Sequence, residues 1–377
     1  MAYLDHAATT PVRPEARDAM LPWLGDRVGN PSGAHRLARD ARRVIDDARD
    51  VFAEATGFDP GDIVFTAGGT EADDLAIDGV IDARGGVPVC PASEHHAVLH
   101  TVESRGGRIV GVDAAGQVDL DHLVSLLDDD VSLVSVMAVN NETGVIADLW
   151  AVLEIVRTHA PDALFHTDAV QALSWLDLPT AAAGVDLLSL SAHKFGGPQG
   201  VGVLAVRPEV SLRSQLLGGG QERGRRSGTQ NVAGIVGAAA AAAVTVRDRS
   251  ASVDRIGALR DRLADGLLAR IDGAIETAVV DGDRSGKVAG NCHVCLPGVE
   301  AEALLVLLED REVFASAASS CSSGAQEPSH VLAAMGVDRA VAEGSLRLSL
   351  GWSSTDADVD LAIDAVPAAV ERLRLFA

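Results

Sequence analysis

The sequence predicts an α/β fold: an open, mainly parallel sheet flanked by helices, followed by a smaller α+β region. Three observations predict it. Short apolar, β-permissive runs alternate with helical stretches between about residues 62 and 206. Several of those runs stop abruptly at a polar tip, as at Asn140-Asn141-Glu142, Asp168 and Lys194. The chain also carries 38 Gly, long Ala runs and only 3% aromatic residues, which suits close helix-on-sheet contacts. Repeated strand, polar tip and helix place a ligand at the strands' carboxyl ends.

Taken in order, 3–11 is a short extended piece that turns at Pro11, and 29–33 is a loop by its Gly, Asn and Pro. Leu37, Ala41, Val44, Ile45, Ala48, Val51, Phe52 and Ala55 then fall at three- and four-residue steps up to Gly57, an amphipathic helix. A strand at 62–66 leads through Gly68-Gly69-Thr70-Glu71 into a helix to about 81. Backbone N–H groups and the positive helix end at Gly69 and Thr70 suit an anion such as a phosphate, although a plain N-cap at Thr70 explains the turn equally well. A strand at 87–90 delivers His95 just past its end, either as a helix cap or as a ligand and proton-transfer group.

Strands at 109–112 and 131–139, with helices at 120–127 and 149–158, continue the alternation. The run at 163–167 then carries Asp168, a carboxylate that is costly to bury unless it meets a positive partner, such as a pyridinium N–H. The apolar run 185–190 delivers Ser191-Ala192-His193-Lys194, and 201–206 follows as another strand. Lys occurs only at 194 and 287, so this chain does not use Lys for general solvation. A desolvated Lys becomes a nucleophile towards carbonyls, which makes Lys194 a candidate anchor for pyridoxal phosphate.

Helices are expected at 232–246 and 253–271, separated by the polar stretch 247–252. That break is the expected domain boundary: 13–247 forms a large domain, and 1–12 with 248–377 a small one. In the small domain, strands are expected at 275–280, 289–296 and 346–350 and helices at 301–308 and 355–373.

The net charge of −23 opposes contact with a phosphate backbone, so direct nucleic-acid binding is not expected. No apolar run approaches the roughly 18 residues that span a bilayer, and the N-terminus lacks a signal region, so the expectation is a cytoplasmic protein. Four Cys are too few for a disulfide framework. Cys321 lies among small polar residues in an accessible loop of about 315–326, as a reactive thiol requires. Cys292-His293-Val294-Cys295 has metal-ligand residue types, but residues three apart on a strand face opposite ways and no second ligand pair lies near, so no metal is expected. Cys90 reads as a buried small hydrophobe.

Together, Gly69-Thr70-Glu71, Asp168 to Gln171, Ser191 to Lys194 and Arg225-Arg226-Ser227-Gly228-Thr229 resemble the cysteine desulfurases. These are class V aminotransferase relatives within fold type I of the pyridoxal phosphate enzymes. The likeness runs from Tyr3-Leu4-Asp5 to Arg347-Leu348-Ser349-Leu350-Gly351 and implies a seven-stranded sheet in the large domain.

It implies that Lys194 holds the cofactor and moves the substrate Cα proton, that Asp168 pairs with the pyridine nitrogen and Gln171 with the ring hydroxyl, and that His95 stacks on the ring. Gly69, Thr70, Ser191 and His193 would hold the phosphate, with Thr229 reaching it from the second subunit of a homodimer. Asn141 and Arg347 would hold the carboxylate of L-cysteine. Cys321 would take the sulfur as a persulfide, release alanine and pass the sulfur to an acceptor protein for iron–sulfur assembly or thiolation. The alternative is a selenocysteine lyase or another class V enzyme in which Cys321 is dispensable. The family's usual Asn at position 74 is Asp here.

Overall fold

The computed structural model describes residues 1–317 and 329–375. The chain opens with strand β1 (Ala2–Tyr3) and helix α1 (Pro14–Leu24). Helix α1 escapes a periodicity reading because Pro22 sits inside it and only Ala16 is buried; Pro14 at its first turn starts it. The amphipathic stretch forms α2 (Arg36–Thr56), closed by Gly57 at φ 77°, whose N–H reaches the Ala53 carbonyl.

The alternating region then forms β2 (Ile63–Thr66), α3 (Gly69–Arg84), β3 (Val87–Pro91), α4 (His96–Ser104), β4 (Arg108–Val110), α5 (Leu120–Leu126), β5 (Val131–Ser135) and α6 (Leu149–His159). It ends with β6 (Leu164–Asp168), α7 (Leu178–Ala181), β7 (Leu187–Ser191) and β8 (Gly202–Val206). The expected seven-stranded sheet is present, in the order β2-β8-β7-β6-β5-β3-β4. Strands β4, β3, β5, β6 and β7 are parallel, and β8 runs antiparallel to both β7 and β2. Because β2 and β7 both oppose β8, the carboxyl ends of β2, β3, β4, β5, β6 and β7 open on one edge.

Alternate residues of each strand pack on opposite faces. Ile63, Phe65, Val134, Phe165 and Leu188 join Ile45 and Phe52 of α2 and Val152 and Val156 of α6. Val64, Leu133, Leu187 and Leu204 join Leu75 and Val80 of α3 and Val98 and Val102 of α4. Each such fully buried side chain contributes about 1.5–3 kcal/mol.

The expected pair of helices around 247–252 is instead one helix, α8 (Val232–Arg270), 39 residues long. The stretch contains no Gly or Pro, so nothing in it breaks a helix. It marks a change of core within a continuous rod. Ile235, Ala238 and Ala242 pack with the large sheet, whereas Ile256, Leu259, Leu263 and Leu267 pack into a second core.

That second core contains β9 (Ile275–Glu276), β10 (Asn291–Cys295), α9 (Ala301–Glu309), β11 (Val313–Phe314), α10 (His330–Ala334), α11 (Arg339–Ala342), β12 (Ser345–Ser349) and α12 (Asp356–Arg374) or borders on them. Strands β12, β10 and β9 form an antiparallel sheet. Strand β1 pairs in parallel with β11, and Asp5 bridges to Ser349, so the N-terminal piece is tied to this region. The expected strand at 275–280 shortens to two residues, and the one at 131–139 ends at Ser135. Beyond Ser135, Val136 and Ala138 still donate to the His166 and Asp168 carbonyls.

Candidate active site

The shared strand edge and the second core enclose a cavity of about 440 Å³, within the size of a cofactor site. Gly69 and Thr70 enter it from the start of α3, after β2. His95 follows β3, Asn141 follows β5, Asp168 ends β6 with Gln171 just beyond it, and Ser191 ends β7 with His193 and Lys194 just beyond it. Arg347 enters from the other side, midway along β12. Thr229 is exposed and does not line this cavity. Cys321 lies outside the described residues. Ser316 and Ser329, on either side of 318–328 in sequence, both line the cavity.

The helix start at Gly68 has no side-chain cap, which leaves first-turn N–H groups and the positive helix end facing the cavity. Gly69 permits the close approach to the sheet: a Cβ there would sit 2.9 Å from Val170 Cγ2. Lys194 ends a single 3-10 turn, Ala192–Lys194, that follows β7, and its Nζ donates to the carbonyls of Ala7 at 2.5 Å and Ala8 at 2.9 Å. Gln171 Nε2 also donates to Ala7 O, and His193 Nδ1 meets Thr9 Oγ1 at 3.2 Å. The N-terminal piece is therefore a wall of the site.

His95 both caps α4 and lines the cavity, so its two readings coexist. Its Nδ1 accepts from Ala97 N. Burial, and then the Lys194 charge, push its pKa down to about 4. His193 is lowered to about 4 for the same reasons. Both rings are thus neutral near neutral pH, suited to stacking and hydrogen bonding. Asp168 Oδ1 accepts from Val170 N at 2.8 Å. Burial raises its carboxyl to about 6, opposed by that N–H and by Lys194. A buried carboxyl with a raised pKa gains most from a cationic partner, and a protonated ring nitrogen is one.

On the opposite side, Arg347 Nη1 donates to Asn141 O and Nη2 to Asp5 Oδ1, each at 2.9 Å. Among the described residues, buried Arg347 Nε and Asn141 Oδ1 have no hydrogen-bond partner. Such groups lose stability unless something fills the site. A charged Arg nitrogen beside this amide suits a carboxylate.

Asp5, Asp73, Glu142 and His330 also line the cavity and are missed by the sequence reading. Asp5 lies in a piece too short to assign to the site from periodicity. Glu142 is visible only as part of a polar tip, and Asp73 as a charge on a helix. Asp73 is buried and raised well above its ordinary value, by burial and then by Asp168. Asp74 hydrogen-bonds Thr101 at 2.8 Å and does not line this cavity.

The other cysteines are separated by the strand alternation. Cys292 lies in the second core and Cys295 in a small cluster with Val331 and Leu332. Burial pushes their thiols up to about 12 and about 11, which keeps them protonated. Cys90 is buried among Val64, Val98 and Leu133.

Residues 2–361 match the family described as aminotransferase class-V. The chain belongs to this family. Class-V aminotransferase relatives of this kind depend on pyridoxal phosphate. The chain is 44% identical to the IscS-like cysteine desulfurase of Mycobacterium tuberculosis, over 99% of this chain and 97% of that protein. It is 41% identical to the cysteine desulfurase IscS of Methanosarcina thermophila, over 99% and 92%. A solved NifS-like protein superposes with a TM-score of 0.90 at 34% identity, covering 99% of this chain and all of the other. The cofactor of this family fits the cavity: a helix start for its phosphate, an amine for its carbonyl, a neutral imidazole and a buried carboxyl for its ring.

Proposed function

We propose that this class-V enzyme is a pyridoxal phosphate-dependent cysteine desulfurase, converting L-cysteine to L-alanine and holding the sulfur as a persulfide on Cys321. The observation that carries this reading is the convergence of Lys194, His95, Asp168, Asn141 and Arg347 on one cavity, together with full-length relatives named for that activity. Bound there, the cofactor supplies an electron sink for the substrate carbon. Thr70, Ser191 and His193 bind its phosphate, and Asp168 keeps a proton on its ring nitrogen. Arg347 and Asn141 orient the substrate carboxylate, and the Lys194 amine takes and returns the Cα proton.

Cys321, as thiolate, attacks the substrate sulfur. The new S–S bond forms as the Cβ–S bond breaks, and the released electron pair takes up a proton to give the methyl group of alanine. The persulfide then passes to an acceptor protein. We further propose that two copies associate, with Thr229 of each completing the phosphate site of the other. Thr229 is exposed, and exposed Leu216 and Leu217 lie in the same irregular stretch. Among the described residues no helix is long and apolar enough to cross a membrane, consistent with a cytoplasmic enzyme. Lys194→Ala tests the cofactor assignment. Loss of the visible absorption of the bound cofactor and of turnover supports it, and retention of both refutes it.

A further inference from the structure

Two hydrogen bonds fasten the start of α10 to the strand-end loops that carry the site. Ser329 Oγ donates to Glu142 Oε2, a buried contact between residues 187 apart in sequence. His330 Nε2 meets the carbonyl of Glu94, next to His95, at 2.8 Å. Ser329 and Glu142 are 3% and 4% exposed, and both line the cavity.

The receiving loops are themselves braced. Asn140 Nδ2 donates to Ser93 O at 3.0 Å, while its Oδ1 accepts from the amides of Glu142 and Thr143 at 2.9 Å. The Glu142 carbonyl is held by Asn291 Nδ2 at 2.9 Å. The carboxyl side chain of Glu142 therefore has a fixed backbone, and Ser329 docks onto it. Ser329 is the first described residue after the segment that contains Cys321.

We infer that Glu142 and Ser329 are positioning residues for sulfur transfer: their hydrogen bond holds the chain next to the Cys321 segment at the wall of the cavity. This rests on the desulfurase reading above. Neither residue exchanges atoms with the substrate. Their contribution is geometric, and a misplacement on the order of 1 Å in a group-transfer step can cost about a hundredfold.

Ser329 also caps α10, its Oγ accepting from Leu332 N, so the test must separate cap from anchor. Ser329→Ala removes both, Glu142→Ala removes only the anchor, and Ser329→Thr keeps both. The full-length enzyme with its cofactor is assayed for alanine release from L-cysteine, and Cys321 alkylation in the resting enzyme is followed by peptide mass. The expected result is a kcat lowered about tenfold in both alanine variants, with KM within about threefold of wild type and restoration in Ser329→Thr. The alkylation rate of Cys321 shifts by at least about threefold in the same two variants.

Wild-type kcat and alkylation rate in both alanine variants overturn the inference. So does a raised KM at unchanged kcat, which assigns the pair to substrate binding. Absence of turnover in the wild type itself overturns the desulfurase reading, and the alkylation comparison still decides the anchor.

Discussion

The two sheets contribute to the cavity in opposite ways. The seven-stranded sheet gathers six carboxyl ends on one edge, and the segments after five of them supply every predicted cavity residue except Arg347. The three-stranded antiparallel sheet cannot align strand ends and offers one side chain from mid-strand. The difference teaches a division of labour. In the proposed reading the parallel sheet builds the cofactor platform, and the antiparallel sheet, joined by the N-terminal piece through Asp5, closes it with Arg347, the proposed carboxylate binder.

The sharpest way to break that division is Arg347→Ala. If Arg347 serves the substrate and not the cofactor, KM for L-cysteine rises about a hundredfold while cofactor affinity stays within about threefold, as expected for losing a buried charge-assisted pair. A titration of apoenzyme with pyridoxal phosphate beside steady-state kinetics checks it; equal loss of both would merge the two roles.

The rod joining the regions comes next. Ser250 is exposed inside α8, and Ser250→Pro should destabilise the fold by about 3 kcal/mol because it removes an interior helix bond. A denaturant midpoint unchanged by that substitution would restore the break expected at 247–252.

Glu142 gives a pH-dependent effect of comparable or smaller size. Burial raises its carboxyl to about 7 in the folded chain, opposed by Ser329 and Arg347, against about 4.3 in the unfolded chain. As pH rises through that window the unfolded state loses the proton first, so the wild type loses stability relative to Glu142→Gln. The Gln variant therefore gains on wild type from about pH 4.5 to 7, by about 3–4 kcal/mol at most, and the difference is constant above. Chemical denaturation at pH 5 and pH 8 measures it, and a pH-independent difference refutes it. The smallest effect is at the proposed phosphate end: Gly69→Ala pushes against Val170 and should weaken cofactor affinity by about 1–2 kcal/mol.

Most of the platform was legible in the sequence because buried parallel strands are apolar runs that end abruptly, and their tips stand out as polar. Asp168 and Lys194 are visible for that reason. The likeness to a family added roles that spacing alone leaves open, Arg347 above all, which reads as an ordinary strand residue. What was not legible depends on contacts distant in sequence. Asp5 faces Arg347 across 342 residues, and Glu142 meets Ser329 across 187, so no local pattern marks either pair. The unbroken α8 was misread because a polar stretch at a change of core looks like a linker, although its residues favour a helix.

The central claim is tested most directly by alanine release from L-cysteine, with a reductant present, in wild type and Cys321→Ser. The account predicts turnover by the wild type and a variant that keeps the cofactor's absorption but loses desulfuration. Equal turnover by both would contradict it, leaving Cys321 a bystander and making a lyase or transaminase the better reading.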